Sequence, residues 1–185
     1  MKKKSRAQRQ DELVEMLKDD PFYTDEELSN LFNVSIQTIR LDRLALGIPE
    51  LRERVKKIAE TETSKVKTLG IKEITGEIID LSVGHVGISI LDVTRDMIYS
   101  KTETLKDEYI FSMAKSLAMA ILNIPKAVMI CANIEMLKQI NKEDRLIAKA
   151  EIYKNEKEKH YVEVLINNKV QEKVFKGKFV FEELV

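Results

Sequence analysis

The sequence predicts an α+β chain in two halves, and two observations carry that prediction. Apolar residues recur at helical spacing through about residue 60, then at every second position from about Ile71. One long apolar stretch, Glu108 to Asn123, interrupts the strand-like segments of the second half. The 185 residues suit one medium domain or two small ones, and 44% hydrophobic content is enough for a packed core.

In the first half, "RQDELVEMLKDD" places Leu13, Val14, Met16 and Leu17 on one broad stripe, and Pro21 ends that helix. "TDEE" fits a capping box, so a second helix starts at Thr24 and is expected to bury Leu28 and Leu31. Ser35 caps a third helix from about Ile36 to Leu46, with Gly47 just beyond its end. Two short helices joined by the tight turn "FNV" make a helix-turn-helix over residues 1–48. Pro49 opens a further helix, the amphipathic linker of residues 49–68. Its narrow stripe is Leu51, Val55 and Ile58, with Arg52, Arg54, Lys56 and Lys57 between them, and "TETSK" is its frayed end.

Residues 69–185 form the second domain. "EIIDLSV", "VGISILDV" and "DMIYSKT" read as strands, with turns near Gly84 and Asp96. The apolar helix Glu108 to Asn123 follows, with Lys115 the only charge in its interior, and Pro125 stops it. "AVMICANIEML", "RLIAKAEIYKN", "KHYVEVLINN" and "KVFKGKFVFEEL" are four more strands, with "NEKEK" and "NNK" as hairpin turns. An antiparallel sheet wrapped around one helix is the economical arrangement, which is the hot-dog fold. By analogy with that fold, a homodimer is expected.

Bulk charge names no partner, because 31 basic and 31 acidic residues balance. The basic run is local: Lys2, Lys3, Lys4, Arg6 and Arg9 stand together without an acid. It reads either as a solvated tail or as an arm on DNA. No apolar run approaches a membrane span and the basic start lacks a secretory core, so no membrane contact is expected, and one cysteine allows no disulfide framework, which points to a reducing cytoplasm. The single Cys131 lies in an apolar stretch and reads as a small buried hydrophobe. His85 and His160 have no ligand cluster near them, so neither a metal nor a cofactor is expected.

Stepping the third helix from its cap puts Ile36, Ile39 and Leu46 toward the core and Gln37, Thr38, Leu41 and Ala45 on the opposite side. A solvent-facing leucine beside Gln and Thr suits a major groove. Gln37 can bond bidentately to adenine and Leu41 can meet a thymine methyl, while Ser35 and Arg40 hold phosphates. Arg43 lies near the core side and reaches either a phosphate or a nearby acid. The competing reading is a small helical subdomain that binds protein or nothing.

"FNVSIQTIRLDRLALGIPELRERVK" closely resembles the start of the FapR repressors of fatty-acid and phospholipid biosynthesis. "GISILDVT", "IYSKT", "KHYVEV" and "VFKGKF" extend the resemblance over nearly the whole chain. It implies a winged or DeoR-like helix-turn-helix, a linker helix and a homodimeric hot-dog sensor. In that family the sensor binds malonyl-CoA or the malonyl carrier protein, and the double-stranded operator is released. The family's Arg-Gly pair before the long helix is replaced here by Lys106 and Asp107. Lys106 keeps a positive charge without the two-pronged guanidinium, and Asp107 adds a negative one. The resemblance aligns Lys115 with a pocket asparagine and Tyr99 with an aromatic pocket residue. A buried lysine needs a partner, and Asp107, Glu108 or the acyl group are the candidates. Alternatively, Lys106 and Asp107 are solvated loop charges.

Hot-dog domains are often acyl-CoA thioesterases, which need a carboxylate or histidine beside the thioester. Asp107, Glu108 and His85 form no pair by spacing, and His85 reads as a surface turn residue. The expectation is therefore a repressor and not an enzyme. The alternatives are a hot-dog thioesterase, or a repressor answering to a different acyl-CoA.

Overall fold

A computed structural model describes residues 5–184. The chain divides into two compact units, Met1–Ile58 and Ala59–Val185.

The first unit holds α1 (Arg6–Asp19), α2 (Asp25–Phe32), α3 (Ile36–Ala45) and the first part of α4 (Leu51–Thr63). The caps are those the sequence implies. Thr24 accepts from the Glu27 N–H while Glu27 accepts from the Thr24 N–H. The Ser35 hydroxyl accepts from the Thr38 N–H at 3.2 Å. Gly47 has φ +67°, the left-handed conformation a residue just past a helix end requires. Among the described residues this unit has no strand, so the head is of the wingless kind: the chain passes from Gly47 directly toward α4.

Leu13, Leu17, Leu28 and Ile39 form the core of this unit, flanked by Met16, Tyr23, Phe32, Val34, Leu46 and Ile48. Two apolar residues placed inward from sequence lie outside it. Leu31 is 57% exposed because Leu28 and Phe32, one turn apart, occupy the inward row of α2. Ile36 is 39% exposed because it begins α3, beyond the position where Ile39 enters the core. The helix expected from Pro49 starts two residues later, at Leu51. Of its stripe, Val55 is buried while Leu51 and Ile58 are half-buried.

The second unit is one six-stranded antiparallel sheet around α5 (Asp107–Leu122). Its strands are β1 (Glu77–Ser82), β2 (Val86–Asp92), β3 (Ala127–Met136), β4 (Arg145–Glu156), β5 (Lys159–Asn167) and β6 (Lys173–Glu183), in the order β1-β2-β4-β5-β6-β3. This is the hot-dog arrangement. Met113, Ala114, Leu117, Ala118 and Ile121 of α5 pack into one core with Leu146, Val162, Val164, Phe175, Phe179 and Phe181 of the sheet. Asn123 closes α5 in the left-handed conformation (φ +53°), and its side-chain oxygen accepts from the Lys67 N–H.

"DMIYSKT" is not a strand. Arg95–Met97 form a short 3-10 turn, and the chain then doubles back so that the Tyr99 N–H donates to the Thr104 carbonyl. The Thr94 hydroxyl bonded to Asp96 favours the turn over an extended run. Cys131 is exposed, contrary to the expectation from its apolar neighbours, because β3 is an edge strand.

Gly177 shows how closely the sheet and its aromatic lining are fitted. A Cβ there would lie 2.6 Å from Phe179 and 2.8 Å from Phe175, both fully buried. Gly177→Val is expected to destabilise the chain by about 1–3 kcal/mol, read as a lower urea midpoint with an unchanged denaturant slope.

Candidate nucleic-acid interface and ligand cleft

The outward side of α3 is built by what holds its inward side. Arg43 is 3% exposed. Its Nε and Nη2 donate to the two oxygens of Asp25 at 2.7 and 2.8 Å, and Nη1 donates to the Ile48 carbonyl at 3.2 Å. The acid therefore takes Arg43, and the phosphate role is withdrawn from it. One residue earlier, buried Asp42 faces α1: it accepts from Arg9 Nε at 2.6 Å and from Gln10 Nε2 at 2.9 Å. These two ion pairs tie α3 to the N-terminal ends of α2 and α1.

With its inner side held, α3 presents Gln37, Leu41, Leu44 and Arg40 to solvent, and Leu41 and Leu44 are 55% and 74% exposed. Ser35 is exposed and Thr38 half-buried, their hydroxyls 2.9 Å apart. Ser35, Gln37, Thr38, Arg40 and Leu41 thus share the accessible side and first turn of α3. Leu44 was missed by stepping the helix, although it lies three residues beyond Leu41.

Sequence reasoning also misses Arg54, which by spacing reads as one more charge of the linker helix. It is buried, and its guanidinium donates to the carbonyls of Pro21 (2.9 Å), Pro49 (2.7 Å) and Tyr23. It anchors the start of α4 to the α1–α2 turn. Burial, with Arg43 nearby, holds its pKa below the ordinary arginine value. Of the basic run, Arg6 and Arg9 belong to α1, which Ser5 and Gln8 cap reciprocally, so this part is helix and not tail. Lys2, Lys3 and Lys4 lie outside the described residues.

In the second unit a cleft of about 310 Å³ opens between the first turn of α5 and the chain following β3. Leu105, Asp107, Ile110, Met136 and Ile140 line it. Asp107 is exposed there. Lys106 adjoins it, but its amine donates to the Asp96 carbonyl at 2.8 Å and lies 5.9 Å from the Tyr109 ring centre. Lys106 is therefore not a free loop charge. Lys115 is half-buried eight residues along α5, about 12 Å from Asp107 at 1.5 Å rise per residue. That distance rules out the ion pair with Asp107 or Glu108. Tyr99 is 43% exposed in the turn before α5. The structure thus places Asp107 in the cleft with Lys106 beside it, and leaves Tyr99 and Lys115 off its lining.

The three residues weighed as thioester bases are not assembled. Asp107 and Glu108 begin α5, whereas the turn carrying exposed His85 is fixed at the other end, where the Gly84 N–H donates to the Ile121 carbonyl at 2.7 Å. Among the described residues no His, Cys, Asp and Glu cluster could hold a metal, and no helix is long and apolar enough to cross a membrane.

The family model of the DeoR-like helix-turn-helix domain matches residues 9–55, the span from α1 into α4. The "Transcription factor FapR" of Caldanaerobacter subterraneus subsp. tengcongensis is 49% identical over 180 residues, covering 97% of this chain and 90% of that protein. The chain belongs to the FapR family of transcription factors. Like other FapR proteins it is a DNA-binding regulator, and the α3 surface belongs to its helix-turn-helix. The FapR hot-dog unit is similar to an uncharacterized protein of Pyrococcus horikoshii, with TM-score 0.58 and 26% identity over 65% of this chain and 91% of that one. It also shares its fold with a Streptococcus mutans UA159 protein bound to acetyl CoA, with TM-score 0.58 and 16% identity over 64% of this chain and 95% of that one.

Two carboxylates, buried Asp42 and half-buried Asp25, set a pH dependence. Arg43 holds the Asp25 carboxyl below its ordinary value through hydrogen bonds and charge. Burial alone would raise Asp42, but Arg9, Gln10 and Arg6 outweigh it and the group is also lowered. A carboxyl depressed in the folded state contributes stability that is present above its unfolded value, about 3.9, and lost as pH falls through the folded value. The helical head is expected to lose melting temperature as pH falls below about 4. Asp42→Asn should flatten that acid limb while lowering the neutral-pH melting temperature, checked by circular dichroism across pH.

Proposed function

We propose that this chain is a homodimeric repressor of fatty-acid and phospholipid biosynthesis genes. An acyl-thioester, malonyl-CoA or a related acyl-CoA or acyl carrier protein thioester, binds its hot-dog unit and releases the operator. The observation that carries this reading is the exposed Gln37–Leu41–Leu44 row of α3 in a chain whose other unit is a hot-dog domain. Gln37 pairs with a base edge, Leu41 meets a thymine methyl, and Ser35, Thr38 and Arg40 set the register on phosphates. Arg43 positions α3 from behind.

Dimerisation is supported by β3, whose outer edge is unpaired in the single chain. Ile134 and Met136 pair with Gly177 and Phe175, so they share the helix-facing side of the sheet, yet they are 39% and 46% exposed. Inward-facing apolar residues left uncovered at an edge suit a second copy laid against β3. Met136 also lines the cleft with Asp107, so a second copy there would border the ligand.

The effector is proposed as a thioester because the S. mutans protein of the same fold is bound to acetyl CoA. Asp107 in the cleft and Lys106 beside it are the residues that would discriminate its acyl group, whereas Lys115 and Tyr99 lie off the lining. A second reading, favoured by Asp107 in the cleft beside a Lys106 already engaged by a carbonyl, is an effector without a free carboxylate. For release to follow, the thioester must bind the released state more tightly than the DNA-bound one. The change is carried by α4, with Leu51, Val55 and Ile58 as its packing stripe.

Ile134→Lys is expected to turn a dimer into a monomer in light scattering with the circular dichroism spectrum retained; an unchanged mass contradicts the β3 interface. Release of labelled operator should be titrated with malonyl-, acetyl- and longer acyl-CoAs. Release by malonyl-CoA supports the first effector reading, release only by an uncharged acyl-CoA supports the second, and release by none refutes the sensor.

A further inference from the structure

The acids of the head outnumber its bases slightly, yet buried Asp42 and half-buried Asp25 are already neutralised. Asp42 accepts on Oδ2 from Arg9 and on Oδ1 from Gln10. Asp25 accepts on both oxygens from Arg43. Each carboxylate then has a second arginine at longer range. Arg6 Nε lies 3.7 Å from Asp42 with its side chain 69% exposed. Arg40 Nε lies 3.4 Å from Asp25 with its side chain 58% exposed. Each trio carries one surplus positive charge, held on the outer arginine by a carboxylate that does not need it.

The two trios straddle the outward row of α3. At about 100° per residue, Gln37, Leu41 and Leu44 fall within about 60° of one another. Arg40 lies about 60° to one side of Gln37, and Asp42, which holds Arg6, lies about 140° to the other. A helix seated in a major groove has a phosphate strand along each flank.

We infer that Arg6 and Arg40 are a matched pair of exchangeable cations, one for each DNA strand, parked on spare carboxylate edges until the head meets phosphate. Moving either arginine to a phosphate leaves no buried charge unpaired, because Arg9 and Arg43 stay in place. Exchange of Arg9 would orphan buried Asp42, and Arg43 is itself buried against half-buried Asp25, so these two are positioning residues. Arg6 thereby acquires a role from the fold that its place in a basic run does not specify. The inference rests on the DNA-binding reading and adds to it which cations leave and which stay.

The test uses the full chain and a duplex enriched by it from a random pool. Arg6→Ala and Arg40→Ala should each make the plot of log binding constant against log salt shallower by about 0.9, and together by about twice that. Melting temperatures should stay near the parent's, and Arg6→Lys should restore most of the slope. Arg9→Ala and Arg43→Ala should lower the melting temperature instead. An unchanged slope for Arg6→Ala, or a melting loss as large as that of Arg9→Ala, overturns the exchange while leaving DNA binding intact. Failure to enrich any duplex overturns both the exchange and the DNA-binding reading.

Discussion

The Arg43–Asp25 pair is the constraint on which the reading surface depends. A short helix of ten residues cannot hold its own orientation by apolar packing when only Ile39 enters the core fully. The fork of Arg43 closes on both oxygens of Asp25 and on the Ile48 carbonyl, which fixes the rotation of α3 about its axis. Arg9–Asp42 fixes it from the other flank. Rotation being set, Gln37, Leu41 and Leu44 face solvent together. Such pairs contribute less to net stability than their Coulomb attraction suggests, because burial costs each ion its hydration. Their consequence is orientation, and orientation is what a base-reading helix needs.

The second unit follows a different rule. Its order comes from burying a nearly apolar helix against one face of a curved sheet, with Phe175, Phe179 and Phe181 filling the space between. The same geometry leaves a defect at β3, where helix-facing residues remain uncovered. The cleft beside the first turn of α5 lies next to that defect. Sensor and dimer surface are thus proposed to be one region, which gives a bound thioester a direct route to the geometry of the assembly.

Much of this was legible because it depends on local rules. Ser35 and Thr24 announce helix starts through their own side chains, and strands β4 to β6 show apolar alternation over most of their length with turn residues between them. The DeoR-like head and hot-dog unit were readable for the same reason, and the family resemblance added the FapR assignment. What was not legible was non-local. Arg54 looks like one more linker charge, because its carbonyl partners at Pro21 and Tyr23 lie about thirty residues earlier. Asp42 and Arg9 are likewise 33 residues apart. Leu31 and Cys131 were placed inside because they sit among apolar neighbours; a full inward row on α2 and the edge position of β3 leave them outside. "DMIYSKT" has a strand's composition, but the hydrogen bond from Thr94, two residues before it, to Asp96 turns the chain first.

One chain is thus proposed to join an operator-reading head to a thioester sensor. Sequencing the genomic DNA fragments retained by the purified protein, with and without acyl-CoA in the wash, tests it most directly. Inverted-repeat fragments upstream of fatty-acid and phospholipid biosynthesis genes are expected, recovered without acyl-CoA and lost when the effective thioester is present. Retention of no specific fragment, or of the same fragments whichever acyl-CoA is added, would contradict it.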